Sequence, residues 1–253
     1  MSSGFIPGPQ YSFTFKGIAS STMGVYVTEK PTIPTPAPRV SFKTVPGRSG
    51  SLAVLEGDNI YDDMLLTIQC TMDFPDSNYD GDSDNKGIAE IMEWLSGEGE
   101  LRLPQRQSGF YKARVVNQIS FRQILRGNSR VSFAINYRLR PFFYLNTSTV
   151  SIGTLRTTFN GYGTLDAYPL ITAVRTAAAG TITINGATIS LPADPTLSTI
   201  YIDCESKVAY NDDGENLTNI VGGEWPVLKP TVNTAQRSYA FSSVTLTTNW
   251  RSL

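Results

Sequence analysis

The stretch Met64-Leu65-Leu66-Thr67-Ile68-Gln69-Cys70-Thr71-Met72 alternates without a break. Leu66, Ile68, Cys70 and Met72 fall on one face, and Leu65, Thr67, Gln69 and Thr71 on the other, as in an extended strand whose successive side chains point to opposite sides. The same period returns in Val131, Phe133, Ile135, Tyr137 and Leu139, stopped at Pro141. It appears earlier in Tyr11, Phe13 and Phe15, ended by Lys16-Gly17. Ala113, Val115, Ile119 and Phe121 predict a further strand, less regular around Asn117. β-branched and aromatic residues at this spacing suit antiparallel strands with one face in a core. One segment departs from the pattern. Ile88, Ile91, Met92 and Leu95 stand at i, i+3, i+4 and i+7, which predicts a single helix over 85–96, with Asp84 as N-cap and Gly97 as the C′ glycine. The first half therefore reads as α+β.

Beyond Pro141 charges thin out, and 146–163 is rich in Thr, Ser, Asn and Gly. Strands then resume over 181–184 and 187–191, joined by Asn185-Gly186, the dipeptide a type I′ hairpin turn favours. Ile200, Ile202 and Cys204 alternate, Glu205-Ser206 turns, and 208–210 returns. The run from Tyr239 to Trp250 alternates through Phe241, Val244 and Leu246 with one slip that a β-bulge accounts for. No helical stripe occurs here, so this half reads as an all-β sandwich. The expected domains are 1–140 and 141–253, with 141–163 as connector.

Length and composition narrow the function. The 253 residues fit one large or two modest domains, long enough to bury cores without staples. Lys+Arg is 21 and Asp+Glu 22, a net charge of −1, which argues against a generally basic nucleic-acid binder. The expectation is a soluble chain: no apolar run reaches the ~18–20 residues of a membrane span, and the opening residues carry no secretory pattern. Histidine is absent and only Cys70 and Cys204 occur, which excludes His-dependent triads, imidazole-bound zinc, Cys₄ sites and a disulfide framework. Both cysteines alternate in phase with Ile and Leu, as buried free thiols do.

The near-zero net charge hides segregation. From Glu56 to Glu100 there are thirteen acids against one base, Lys86; from Leu101 to Leu165 there are ten bases and no acid. Cross-strand pairing inside one sheet accounts for such blocks. A head-to-tail interface between copies also does, and it closes a ring or grows a filament. On that second reading Arg102, Arg106, Arg122, Arg126, Arg130, Asp62, Asp63 and Asp73 are the expected contacts between protomers. Phosphate binding along the arginines is the weakest of the three, because aromatic residues are not regularly interleaved with them.

Other motifs reduce to plain structure. Asp80-Gly81-Asp82-Ser83-Asp84 has Asn85 and Ile91 where a calcium loop needs Gly and Glu. Val45-Pro46-Gly47 reads as a type II turn, and Gly47-Arg48-Ser49-Gly50 matches neither a P-loop nor a nucleophile elbow. Pro31, Pro34, Pro36 and Pro38 form an extended segment that discourages stray strand pairing. Trp225 and Trp250 fit buried sandwich residues; a carbohydrate platform is the alternative. Pairs among Asp203, Glu205, Asp212, Asp213 and Glu215 would be the sole glycosidase candidates, and they read as loop acids.

Taken in order, Phe13-Thr14-Phe15-Lys16-Gly17 with Ser20-Ser21-Thr22-Met23-Gly24-Val25, then Val45 to Leu52, Tyr168-Pro169-Leu170-Ile171, the 182–191 hairpin, Ile200-Tyr201-Ile202-Asp203 and Trp225-Pro226-Val227-Leu228 resemble the distal tail proteins of siphophages. Many members carry Asp at the position of Ser49. The resemblance implies a mainly β fold: an N-terminal α+β ring-forming domain with one helix and a C-terminal galectin-like or carbohydrate-module-like β-sandwich. It implies a homohexameric ring at the distal end of a long non-contractile tail, a structural virion protein made in the host cytoplasm. The partners implied are the tail tube, tape-measure and tail-tip proteins, with DNA passing through the channel without specific binding. No catalysis, cofactor, metal or membrane contact is implied. The alternative is a carbohydrate-binding module contacting the host surface. The arginine-rich block is expected at protomer contacts rather than along the channel.

Overall fold

The computed structural model describes residues 12–55, 57, 60–73, 81–123, 130–194 and 196–253, with backbone alone at 73, 81–86, 122, 123 and 130. The chain divides into two compact units, one ending at Phe143 and the other spanning Tyr144–Ser252.

In the first unit the strands are β1 (Thr14–Phe15), β2 (Ile18–Ala19), β3 (Val25–Val27), β4 (Val40–Thr44), β5 (Ser51–Leu55), β6 (Met64–Asp73), β7 (Glu98–Leu103), β8 (Arg106–Val115), β9 (Arg122–Gln123) and β10 (Arg130–Leu145), with helix α1 (Gly81–Leu95) between β6 and β7. The main sheet runs β2-β1-β7-β8-β10-β6-β3, with β9 beside β10, while among the described residues β4 and β5 pair with each other alone. The long β6–β10 ladder sets Phe133 opposite Cys70 and Ile135 opposite Ile68, so the two alternating runs bury the same face. Tyr11 lies outside the described residues; Phe13 and Phe15 are buried as expected. Lys16 and Gly17, at φ 51° and 77°, form the turn between β1 and β2.

Four expectations are corrected here. The helix starts at Gly81, not 85, so Asp84 sits inside its first turn, where the helix dipole still favours acidic residues; Gly97 does adopt a positive φ of 73°. The inward stripe of α1 is Ile91, Trp94 and Leu95, while Met92 is 43% exposed. Trp94 stacks on Phe13 at 5.7 Å, meets Phe15 edge-on, and donates its indole N–H to the Phe15 carbonyl at 2.9 Å. β8 ends at Val115, short of Ile119. The Asn117 amide takes over the ladder there, donating to the Ala134 carbonyl and accepting from the Asn136 N–H. Strand β10 likewise runs through Pro141. Its register with β6 ends at Leu139 opposite Met64, so the missing proline N–H removes no bond from that ladder.

The second unit holds β11 (Thr149–Ser151), β12 (Thr157–Asn160), β13 (Leu170–Arg175), β14 (Gly180–Ile184), β15 (Ala187–Leu191), β16 (Thr199–Asp203), β17 (Val208–Tyr210), β18 (Gly222–Gly223), β19 (Val232–Arg237), β20 (Phe241–Thr247) and β21 (Arg251–Ser252). The stretch 141–163, read from sequence as connector, carries the end of β10 and then β11 and β12. The two five-stranded sheets are β11-β20-β13-β16-β17 and β12-β19-β14-β15-β18. Ile171, Ile200, Ile202 and Leu246 of the first meet Ile182, Ile184, Ile189 and Leu191 of the second in one core. Asn185 and Gly186 take φ 52° and 93°, the paired positive values of a type I′ turn. The bulge falls at Ser242, since Val174 opposes Ser243 while Arg175 opposes Phe241.

Candidate assembly surface

The two charged blocks meet within the chain. Across β7 and β8 Glu98 stands opposite Arg114 and Glu100 opposite Lys112. Arg138 pairs with Asp63 at 2.7 Å, Arg140 with Glu98 at 3.1 Å and Arg102 with Glu100 at 3.0 Å; Asp62 pairs with Arg39 at 2.9 Å. All these groups are substantially solvated, and such pairs contribute only about 0–1 kcal/mol each. Arg102 also lies over the Phe110 ring at 4.9 Å. Arg106 is held by aromatics: its guanidinium sits 4.0 Å from the Phe143 centroid and donates to the Tyr111 hydroxyl. Burial raises the Tyr111 pKa and Arg106 partly offsets it. Arg130 opens β10 opposite Asp73 at the end of β6, and Arg122 lies opposite Ser132; the side chains of these three, and the whole of Arg126, lie outside the described residues.

Little in the residue pattern marks the second surface. Hairpin β4–β5 turns at Val45-Pro46-Gly47-Arg48, with the Arg48 N–H donating to the Val45 carbonyl and Gly47 at φ 79°, the type II geometry expected. Val40, Phe42 and Leu55 share one of its faces, since Phe42 opposes Ala53 and Val40 opposes Leu55. Phe42 is 72% and Leu55 62% exposed. An open groove of about 360 Å³ lies beside the outer face of β6, lined by Glu29, Lys30, Pro31, Leu65, Thr67 and Gln69 among others.

In the second unit Trp250 is buried, edge-on to Tyr162, and Trp225 packs against the same core. Burial removes Trp250 as a sugar platform. The loop acids are engaged in hydrogen bonds: Asp203 accepts from the Glu205 N–H and the Ser206 hydroxyl, Asp212 from the Tyr201 hydroxyl, Glu205 from the Tyr144 hydroxyl, and Glu215 from the Asn211 amide. Cys70 and Cys204 are buried free thiols, each pushed up to about 12 by desolvation. Among the described residues no His, Cys, Asp and Glu side chains gather in a group able to hold a metal ion, and no helix is long and apolar enough to cross a membrane.

No family model and no curated protein matches the sequence. Solved structures do match the fold. The SPP1 Dit (gp 19.1) protein, described as a paradigm of the hub adsorption apparatus in phages infecting Gram-positive bacteria, superposes with a TM-score of 0.69 at 14% identity, covering 96% of this chain and 99% of that one. Two structures of the phage P2 baseplate in its activated conformation also match. The one with Ca has a TM-score of 0.53 at 8% identity over 89% of this chain and 90% of that one; the one with Sr has 0.56 at 8% over 94% and 96%. The fold of this chain is that of phage hub and baseplate proteins, in agreement with the resemblance drawn from the sequence.

Proposed function

We propose that this chain is a structural hub of a siphophage tail: six copies close a ring at the distal end of the tail, joining the tail tube, tape-measure and tail-tip proteins around a channel through which DNA passes. The observation that carries this reading is the likeness to a hub adsorption protein along the whole length of both chains, both units included. A ring of copies also suits the first unit, whose surface offers exposed charge of both signs. In this reading the half-exposed Asp62, Asp63 and Arg102 reach the neighbouring copy, and Arg106, held between aromatic rings, supports the wall from behind. The charged blocks then serve protomer contacts rather than the channel lining.

Negative-stain microscopy of the purified chain, alone and mixed with its neighbouring tail proteins, tests the proposal. A six-fold annulus with a central hole is expected. Sedimentation as a single 27.7 kDa particle at every concentration and salt, with no tail protein able to assemble it, overturns it.

A further inference from the structure

Strand β13 turns Ile171, Ala173 and Arg175 to the inside of the sandwich. The first two suit a core, whereas an arginine is almost never fully buried unless it is paired. Arg175 is 7% exposed and is the last residue of its strand. Its Nη2 donates to the Pro192 carbonyl just past β15, so the side chain reaches from one sheet to the end of the other. Nε and Nη1 are buried and meet no acceptor among the described residues. Most of the guanidinium's N–H donors are therefore unused. A buried charge left in this way is costly, and it marks a place where a partner of opposite charge is strongly favoured.

The surroundings supply little counter-charge. Residues 141–165, 167–193 and 225–253, which hold β11–β15 and β19–β21, contain no acid. Arg237 stands close by, because its Nη1 donates to the carbonyl of Phe241, the residue opposite Arg175 in the β13–β20 ladder. Arg156 is exposed in the loop that Arg237 and Gln236 tie down through the Gly153 and Thr154 carbonyls. Asp194, the one acid described at this end, is placed by its N–H to the Ala177 carbonyl at 3.1 Å. Its carboxylate is engaged elsewhere, accepting from the Thr196 N–H and hydroxyl at 2.9 and 2.7 Å. Those bonds, and more weakly the charge of Arg175, hold its pKa down. Three arginines thus face a single carboxylate that is already bonded.

We propose that Arg175 anchors an oxyanion site at this end of the sandwich, and that the ligand carries a phosphate group. Guanidinium and phosphate match through parallel N–H···O bonds, which the unused donors of Arg175 can supply. The excess of positive charge over Asp194 favours a doubly charged ion over a carboxylate, and water-poor walls strengthen the attraction. The Pro192 carbonyl lies in an exposed turn, so the ion reaches the guanidinium by taking that carbonyl's place. The site is a property of the second unit and stands independently of the hub reading.

Equilibrium dialysis of the full-length protein against inorganic phosphate at constant ionic strength tests the inference. Saturable binding of a single ion per chain is expected, and its loss in Arg175→Met. That variant should fold, since an apolar side chain of similar length replaces an unpaired buried charge. In thermal melts with phosphate replacing chloride, the wild type is expected to gain about 2–4 °C more than Arg175→Met, which corrects for the stabilising effect phosphate has on any fold. Should Arg175→Met fail to fold, Arg175→Lys keeps the charge but loses the forked donors, and is expected to weaken phosphate binding about tenfold or more. Dimethyl phosphate binding as phosphate does would assign the site to a phosphodiester chain; phosphate binding alone would assign it to a free or terminal group. No bound phosphate in dialysis, or equal binding by the wild type and the variants, overturns the inference and leaves the hub reading standing.

Discussion

Trp94 shows how one side chain can carry two jobs. Its ring fills the space between α1 and the sheet, and its N–H satisfies the Phe15 carbonyl at 2.9 Å. Trp94→Phe keeps most of the volume but removes that buried hydrogen bond, so stability is expected to fall by about 0.5–1.5 kcal/mol, read from urea midpoints. Trp94→Ala should cost about 3–5 kcal/mol. The buried thiols set an alkaline limit. Their folded values lie near 12, above the 9.0 of a free thiol, so their contribution to stability is complete below about pH 9 and is lost as pH climbs toward 12. Alkylation at pH 8 should label neither cysteine in the folded protein and both in denaturant, and Cys70→Ala with Cys204→Ala should flatten the alkaline decline. The thiols were legible in the sequence because both fall in phase with buried neighbours. Met92 and Trp94 were not. They lie two positions apart on a helix, and small differences in rotation about its axis decide which of them turns inward.

At the level of elements, period-2 alternation located β6, β10, β14, β15 and β17 because both their faces and their turns are written in local residue types. It failed where side chains stand in for backbone or where a rule has an exemption. Asn117 continues the ladder through its amide, ending β8 early, and Pro141 lies beyond the β6 register, so β10 continues. Another such substitution holds the 229–233 turn. Asn233, fully buried, donates to the Lys229 and Thr231 carbonyls and accepts from the Lys229 N–H and the Asn185 amide. Asn233→Ala strands several of these groups at once and is expected to cost about 2–4 kcal/mol, at the upper end for single substitutions. Asn233→Asp, which cannot donate to the two carbonyls, should behave similarly in thermal melts. An unchanged midpoint would show that water replaces the amide.

At the scale of the molecule, the charge pattern was visible in the sequence, but its use depends on register, which only the fold supplies. Glu98 and Arg114 are sixteen positions apart and stand opposite each other because β7 and β8 form a hairpin. Since the second unit carries its own core, a fragment of residues 144–253 is expected to fold alone with one cooperative thermal transition; a broad, non-cooperative melt would show that its sandwich depends on the first unit. The β4–β5 ribbon has a consequence during synthesis. Among the described residues it has two strands and no third, so its outer rails offer backbone donors and acceptors to any passing extended chain, and apolar side chains stand beside them. High-level expression of the chain should therefore favour cross-β growth and drive the material into inclusion bodies.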